Sequence, residues 1–235
     1  MAHSEGKDKQ YFYSSIADQF DELQDSYDLE RRKEIIFSTL IDINIKRKKY
    51  LEVGCGTGNL LYKPAKKGAV IFAVDIAFEL LLKAKSKIDA QYICADALFL
   101  PFADSCFDVV VSSDVIEHTI NPYNAALELS RLIHEKGWLV ITTPNNKWQW
   151  AIDLSEKLGI NKFHGIENFP DFIHLEKILI SNGLLVNKHI GFHPWPFQLR
   201  FLRPFSRYID NHFGGKKWGR IMINQALIAS KTKEK

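Results

Sequence analysis

Leu51-Glu52-Val53-Gly54-Cys55-Gly56-Thr57-Gly58-Asn59 is an apolar run that breaks into glycines at every second position. The residues before the break read as a buried strand, and those after it as the approach to a helix. Glycines let the backbone turn sharply and let a ligand come close with no Cβ in the way. Such a turn delivers the ligand to the positive end of a helix. A second apolar run, Ala69-Val70-Ile71-Phe72-Ala73-Val74, ends at Asp75. An acid at the tip of the neighbouring strand stands where a ribose diol would lie. The chain is therefore read as the holder of a nucleoside-containing cofactor.

The dinucleotide fingerprint is G-x-G-x-x-G. Here the spacing is G-x-G-x-G, and Asn59 takes the place of the third glycine. Glu52, two residues before the first glycine, would repel a pyrophosphate and attract a cationic amino-acid group. The pattern E-x-G-x-G-x-G resembles motif I of the class I S-adenosylmethionine-dependent methyltransferases. That resemblance implies S-adenosylmethionine as the cofactor, held by Glu52, Gly54, Cys55, Gly56, Gly58, Asp75 and Ile76. A nicotinamide dinucleotide, or a glycine turn used only for packing, are the other readings. Asp75 is either the ribose acceptor or a helix cap. Asp96, in Cys94-Ala95-Asp96-Ala97, either accepts the adenine amino group, with the Ala97 N–H on a ring nitrogen, or shapes a turn. Cys55 also reads as a small buried packing residue.

A chain of 235 residues with 46% hydrophobic content can bury a full α/β core. A net charge of +3 lacks the basic excess of a nucleic-acid binder, so no nucleic-acid partner is expected. Cys55, Cys94 and Cys106 are an odd, sparse set with no secretory signal ahead of them, which reads as reduced thiols in the cytoplasm. No apolar stretch reaches the roughly 18 residues of a membrane span. Residues 1–10 are polar and expected to be disordered.

Strands are expected at 50–54, 69–75, 91–95, 107–112, 137–143, 184–190 and 220–230. Helices are expected at 11–20, 29–43, 57–67, 77–88, 121–135 and 171–182. Short continuous apolar runs such as Phe107-Asp108-Val109-Val110-Val111 fit strands covered on both faces, and their alternation with helices implies βαβ units. The fold class is thus α/β: a doubly wound, seven-stranded, mostly parallel sheet of Rossmann-like type with the last strand antiparallel. Residues 11–235 read as a single methyltransferase domain, with 11–45 as a helical cap and 145–170 and 192–219 as substrate-side insertions.

The next block, Ser113-Asp114-Val115-Ile116-Glu117-His118-Thr119-Ile120-Asn121-Pro122, begins where the fourth strand ends. Ligands of doubly wound sheets sit off the carboxyl ends of the strands. Ser113 is placed at the cofactor's methionine end, and His118, with Glu117, is the candidate catalytic pair. Histidine can take a proton near neutral pH; the alternative is a loop that only starts the next helix. This block, followed by Gly137-Trp138-Leu139-Val140-Ile141-Thr142-Thr143-Pro144-Asn145, resembles the ubiquinone-biosynthesis O-methyltransferase family, as do the two insertions. The resemblance implies methylation of a hydroxyl on a polyprenylated phenol or catechol. It further implies Arg31 or Arg32 at the methionine carboxylate, and His164 as a further site residue. Some relatives of that family hold a divalent metal at an acid–acid–His block; Asp114, Glu117 and His118 match it, but no metal is assigned here.

Phe192 to Gly219 interleaves Trp195, Phe197, Phe201, Phe205, Tyr208, Phe213 and Trp218 with Arg200, Arg203, Arg207, Lys216 and Lys217. It reads as a lid over an apolar acceptor, as a peripheral membrane contact, or as a cap that merely closes the fold. The leading functional reading is an O-methyltransferase acting on a small apolar or lipid-linked acceptor. A sugar, amine or carbon acceptor, or a cofactor-binding protein without turnover, are the alternatives. Oligomeric state is left open.

Overall fold

The apolar runs become the strands of one sheet. A computed structural model describes residues 10–40, 43–157, 167–196 and 198–231 of the chain. The strands are β1 (Lys49–Val53), β2 (Val70–Asp75), β3 (Gln91–Cys94), β4 (Phe107–Ser113), β5 (Ile133–Pro144), β6 (Leu184–Phe192) and β7 (Asn224–Lys231). Their order is β3-β2-β1-β4-β5-β7-β6. β7 runs antiparallel to both its neighbours, and the pairs among β1 to β5 are parallel. The expected α/β doubly wound sheet with an antiparallel last strand is the observed one.

Alternate residues of the central strands feed two separate cores, as the two-residue period of a strand requires. Leu51, Val53, Val110, Leu139 and Ile141 face helices α5 (Pro122–Arg131) and α7 (Phe172–Ser181) through Leu129, Leu175 and Leu179. Tyr50, Val109, Val111 and Val140 face helix α2 (Ser26–Thr39) through Ile35 and Ile36. Both faces are covered, which is why these strands read as unbroken apolar runs. The remaining helices are α1 (Phe20–Leu23), α3 (Tyr62–Lys66), α4 (Phe78–Lys87), α6 (Gln149–Lys157) and α8 (Arg203–Phe213). A further helical stretch occupies 10–15.

Several element ends differ from the expected ones, each for a local reason. The helix expected at 57–67 shrinks to α3, because Thr57 and Asn59 are drawn instead to the Asp21 carboxylate, Asn59 Nδ2 at 3.0 Å. The helix expected at 121–135 stops at Arg131, whose guanidinium bonds Glu128, Asp104 and the carbonyl of Phe102. β5 then starts at Ile133 and pairs with Phe107 across a bulge. The strand expected from 220 starts at Asn224, since Lys217–Ile221 form a 3-10 turn. That turn is pinned by glycine-only packing. A Cβ on Gly219 would lie 1.8 Å from the Gly214 carbonyl oxygen, and one on Gly191 would lie 1.9 Å from that of Gly219.

The chain steps from β1 through β2 to β3, then returns to β4 on the other side of β1. That reversal opens a crevice at the carboxyl ends of β1 and β4, where doubly wound sheets bind ligands. The segments after β5 and between β6 and β7 leave the sheet at this same end. Residues 1–9, expected to be disordered, and His164 lie outside the described residues.

Candidate active site

A cavity of about 500 Å³ fills that crevice. Its floor is the glycine turn. Gly54 and Cys55 donate their N–H groups to the Val74 carbonyl at 2.7 and 2.9 Å, which folds the turn over the tip of β2. Gly54 has a φ of +73°, and a Cβ there would stand 2.1 Å from Val115. No other residue fits this position without moving the loop between β4 and α5.

Asp75 closes the floor. Its Oδ2 accepts from Gly56 N at 2.8 Å and its Oδ1 from Ala77 N at 2.9 Å. The carboxylate therefore sets the shape of the glycine turn as well as lining the cavity. Burial raises its pKa, against the pull of these two N–H donors. Ala77, not Asp75, occupies the N-cap of α4.

Glu52 lines the cavity at only 2% exposure, and its Oε2 has no hydrogen-bond partner. Burial and the nearby Asp75 push its carboxyl well above the ordinary range, with Arg32 acting the other way. A buried, unpaired carboxyl is costly to keep unless a ligand supplies a donor or a cation. The ammonium of an amino-acid end is such a group, so the residues present fit S-adenosylmethionine.

The remaining candidates divide clearly. Gly54, Cys55, Gly56, Ile76, Asp96, Ala97, Ser113, Asp114 and His118 all line the cavity. Cys55 is also buried in the α2-side core, and burial raises its thiol pKa well above the usual value. Asp96 Oδ1 accepts from Leu98 N at 2.9 Å and so shapes its own turn. Gly58 is not on the wall; a Cβ there would meet Ala84 at 3.2 Å, so it serves the packing of the turn on α4. Glu117 is not on the wall either. It is 1% exposed, its Oε2 accepts from Thr143 Oγ1 at 2.8 Å, and burial with Asp114 beside it raises its pKa strongly. Arg32 reaches the cavity, whereas Arg31 turns to α8 and pairs with Asp210 at 3.2 Å.

Asp114 holds a left-handed φ of +55° and is locked between Arg32 at 3.2 Å and Thr142 Oγ1 at 3.0 Å. Among the described residues, no group of three or more His, Cys, Asp and Glu side chains is gathered to hold a metal.

Sequence reasoning expected a helical cap over 11–45 but, apart from Arg31 or Arg32, named none of its residues as part of the site. Tyr13, Ile16, Phe20, Leu23 and Asp28 close the cavity from the N-terminal segment. Tyr13 meets the His118 ring edge-on at 6.1 Å between centroids. Burial, then the Glu117 charge, raises the Tyr13 hydroxyl above its ordinary pKa, so it stays protonated. The seven-residue spacing of Tyr13 and Phe20 and the four-residue spacing of Asp28 and Arg32 were the available signals.

Comparison with known proteins agrees with this geometry. Residues 51–141 match the methyltransferase domain family of type 11. An uncharacterized protein of Methanocaldococcus jannaschii is 35% identical over 78% of this chain and 78% of its own length. A ubiquinone biosynthesis O-methyltransferase of Coxiella burnetii is 31% identical over 68% of this chain and 73% of its own length. The crystal structure of magnesium protoporphyrin IX methyltransferase from Synechocystis PCC 6803, with bound S-adenosylhomocysteine, covers 94% of this chain and 96% of that one at a TM-score of 0.68 and 18% identity, which speaks for the fold. With a cavity built around Glu52 and Asp75 and relatives of this kind, the chain belongs to the class I S-adenosylmethionine-dependent methyltransferases, in the branch that carries the type 11 methyltransferase domain.

Proposed function

We propose that this methyltransferase acts on an oxygen of an apolar or lipid-linked phenol or catechol, with His118 as the general base. The observation that carries this reading is His118 itself. It lines the cofactor cavity beside Tyr13, and apolar Ile16, Leu23, Phe99 and Ile120 share the wall. The name of the Coxiella burnetii relative supports an oxygen acceptor.

Bound S-adenosylmethionine supplies a methyl group on a positively charged sulfur and leaves as S-adenosylhomocysteine. The protein has to orient the acceptor in line and exclude water. Such positioning is worth roughly 7–11 kcal/mol of barrier in well-oriented reactions. His118 would take the proton from the acceptor hydroxyl as that oxygen receives the methyl group. Tyr13, kept protonated, presents a hydroxyl from the roof, and Glu117 braces the Ile116–His118 turn from behind through Thr143. The cofactor roles proposed are Glu52 at the ammonium, Asp75 at the ribose, Asp96 and Ala97 at the adenine, and Ser113 at the methionine end. Residues 11–45 then act as the cap, and the stretches 145–170 and 192–219 as the acceptor-side parts of one domain.

A lipid-linked acceptor asks for a surface that meets lipid, and we assign it to the segment between β6 and β7. Phe205 and Tyr208, three residues apart on α8, are 64 and 61% exposed, and Phe201, in the 3-10 turn Arg200–Leu202 just before it, is 74% exposed. Between Pro194 and Ile221 there are six basic residues and one acid, Asp210, which is buried against Arg31. An aromatic stripe with basic flanks suits an anionic bilayer surface. No described helix is long and apolar enough to cross a membrane.

An amine acceptor is the second reading, since Asp25, Asp28, Asp96, Asp114 and Glu167 also line the cavity. The test is S-adenosylhomocysteine release with prenylated phenols and catechols against sugars and amines. Release with phenols and loss of it in His118→Ala would support the proposal. Release with amines alone would replace it by the second reading.

A further inference from the structure

Leu23, Gln24 and Asp25, the link from α1 to α2, belong to the walls of two cavities. They line the cofactor cavity together with Gln198. They also line a second recess of about 470 Å³, which Arg200 and Arg203 close on the α8 side. The link is therefore a partition one chain thick, and side chains hold it at both edges. Gln24 Oε1 accepts from Asn59 Nδ2 at 3.0 Å beside the glycine turn, and Asp25 Oδ2 pairs with Arg203 Nη2 at 2.6 Å.

Arg203 is the first residue of α8. Its guanidinium lies 4.9 Å from the centre of the Tyr27 ring, and the Tyr27 hydroxyl donates to its carbonyl at 3.0 Å. Further along, α8 is held to α2 by Arg31 with Asp210 at 3.2 Å, by Arg31 with Asn211 at 3.0 Å and by Arg207 with Glu34. Breaking the Asp25–Arg203 pair alone thus frees the partition and leaves α8 in place. Arg203 also falls between Phe201 and Phe205, two of the exposed aromatic residues assigned to lipid. The guanidinium that holds the partition shut therefore belongs to the element that would meet a bilayer.

We propose that the ring of the acceptor enters the cavity through this partition, and that the Asp25–Arg203 pair is a latch released by an anionic lipid surface. Lipid phosphate oxygens offer a guanidinium there a charged partner in place of the carboxylate. The recess is polar where a hydroxyl-bearing ring would cross it, and the aromatic residues beside it are apolar where a tail would stay in lipid. Away from a surface the latch stays closed, and a ring dissolved in water reaches His118 slowly. Arg203 thus biases the site toward acceptors presented by a bilayer. The proposal rests on the lipid-surface reading of α8 given above.

A tailless, water-soluble acceptor such as 4-methylcatechol isolates the latch, because it needs no bilayer to reach the protein. Its kcat/KM is read from S-adenosylhomocysteine release, alone and with vesicles of phosphatidylcholine or of phosphatidylcholine mixed with phosphatidylglycerol. On the wild-type chain the anionic vesicles should raise kcat/KM about threefold, and the neutral ones should leave it unchanged. Arg203→Gln, which keeps a planar group over Tyr27 and loses the charge, should show a similar rise in water and gain nothing more from vesicles. Asp25→Asn keeps a good helix cap and removes the other half of the pair, so it should behave alike and carries the test should Arg203→Gln not fold. Arg200→Gln, in the same recess, should respond to vesicles as the wild type does. A wild-type chain that floats with anionic vesicles yet turns 4-methylcatechol over no faster would overturn the latch. Variants at Arg203 and Asp25 that are no faster than the wild type in water would overturn it too. A wild-type chain that does not float would instead overturn the lipid reading of α8 beneath the proposal, and no release from any phenol or catechol would overturn the acceptor reading.

Discussion

The floor and the roof of the cavity are built in opposite ways. The floor comes from consecutive turns at the ends of β1, β2, β3 and β4, each carrying its residues within a few positions of a strand. The roof comes from the N-terminal segment and is tied down by long-range contacts. Asp21 receives Asn59 at 3.0 Å and Lys87 at 2.8 Å, and Lys83 reaches Asp18 at 2.8 Å. The side near α8 is tied just as remotely, with Asp25 on Arg203 at 2.6 Å. The floor hangs on backbone hydrogen bonds and buried carboxylates. The part of the roof before α2 hangs on largely exposed ion pairs, worth about 0–1 kcal/mol each, and on a small apolar contact of Tyr13, Ala17 and Phe20 with Ala77 and Leu80, whereas Asp28 is held by buried pairs with Arg32 and His193. A rigid floor and a loosely tied roof suit a site that must hold one ligand firmly and admit another.

The sharpest break of the floor is Asp75→Ala. It removes the acceptor of Gly56 N and Ala77 N together with the proposed ribose contact, so cofactor affinity should fall by about 10²-fold or more. Calorimetry with S-adenosylhomocysteine reads this directly, and a loss of under threefold would return Asp75 to a purely structural role. On the other side of the cavity, His118→Ala should lower kcat by about 10²-fold on the true acceptor, with cofactor affinity within twofold. Single-turnover kinetics on the acceptor that releases S-adenosylhomocysteine would check it, and an unchanged rate would remove the histidine from proton transfer.

Glu52 allows a test by pH. Burial and Asp75 raise its pKa in the free protein, and a bound ammonium would lower it. Binding then expels a proton at any pH between the two values, so S-adenosylhomocysteine affinity should rise with pH above the ordinary carboxylate range. It should level off once the free carboxyl is ionised, with a slope of at most tenfold per unit. Calorimetry in buffers of different ionisation heat should show proton release that Glu52→Gln abolishes; release of the same size in the variant would assign the proton elsewhere.

The smallest expected effects lie on the roof and the outer surface. Asp21→Asn should leave folding intact and change cofactor affinity by about two- to fivefold, read in the same titration. Phe205→Ser with Tyr208→Ser should reduce flotation with anionic vesicles several-fold at unchanged melting temperature, because both side chains are already exposed. Equal flotation would leave the aromatic stripe without a lipid role.

The difference between floor and roof is also a difference in legibility. Gly54, Asp75, Asp96 and Ser113 could be read because each sits at a fixed distance from an apolar run, and strand ends in a doubly wound sheet converge on one crevice. The block around His118 could be read for the same reason, since it starts at the end of β4. Tyr13 could not be placed, because an amphipathic spacing says that a helix covers something and not what it covers. The Asp28–His193 contact spans 165 residues, and no local pattern marks either partner. Glu117 shows the reverse. Its neighbour in sequence lines the cavity, yet a 3-10 turn sends its own side chain to Thr143.

By itself, then, the sequence determined the sheet, the glycine turn and the cofactor class, because strand periodicity, glycine freedom and the charge of Glu52 are local properties. The tertiary structure decided which of Arg31 and Arg32 enters the cavity, where Glu117 and Gly58 point, and how the roof closes. Those outcomes depend on which distant side chain arrives to satisfy a buried charge, and burial leaves each such charge few partners to choose from.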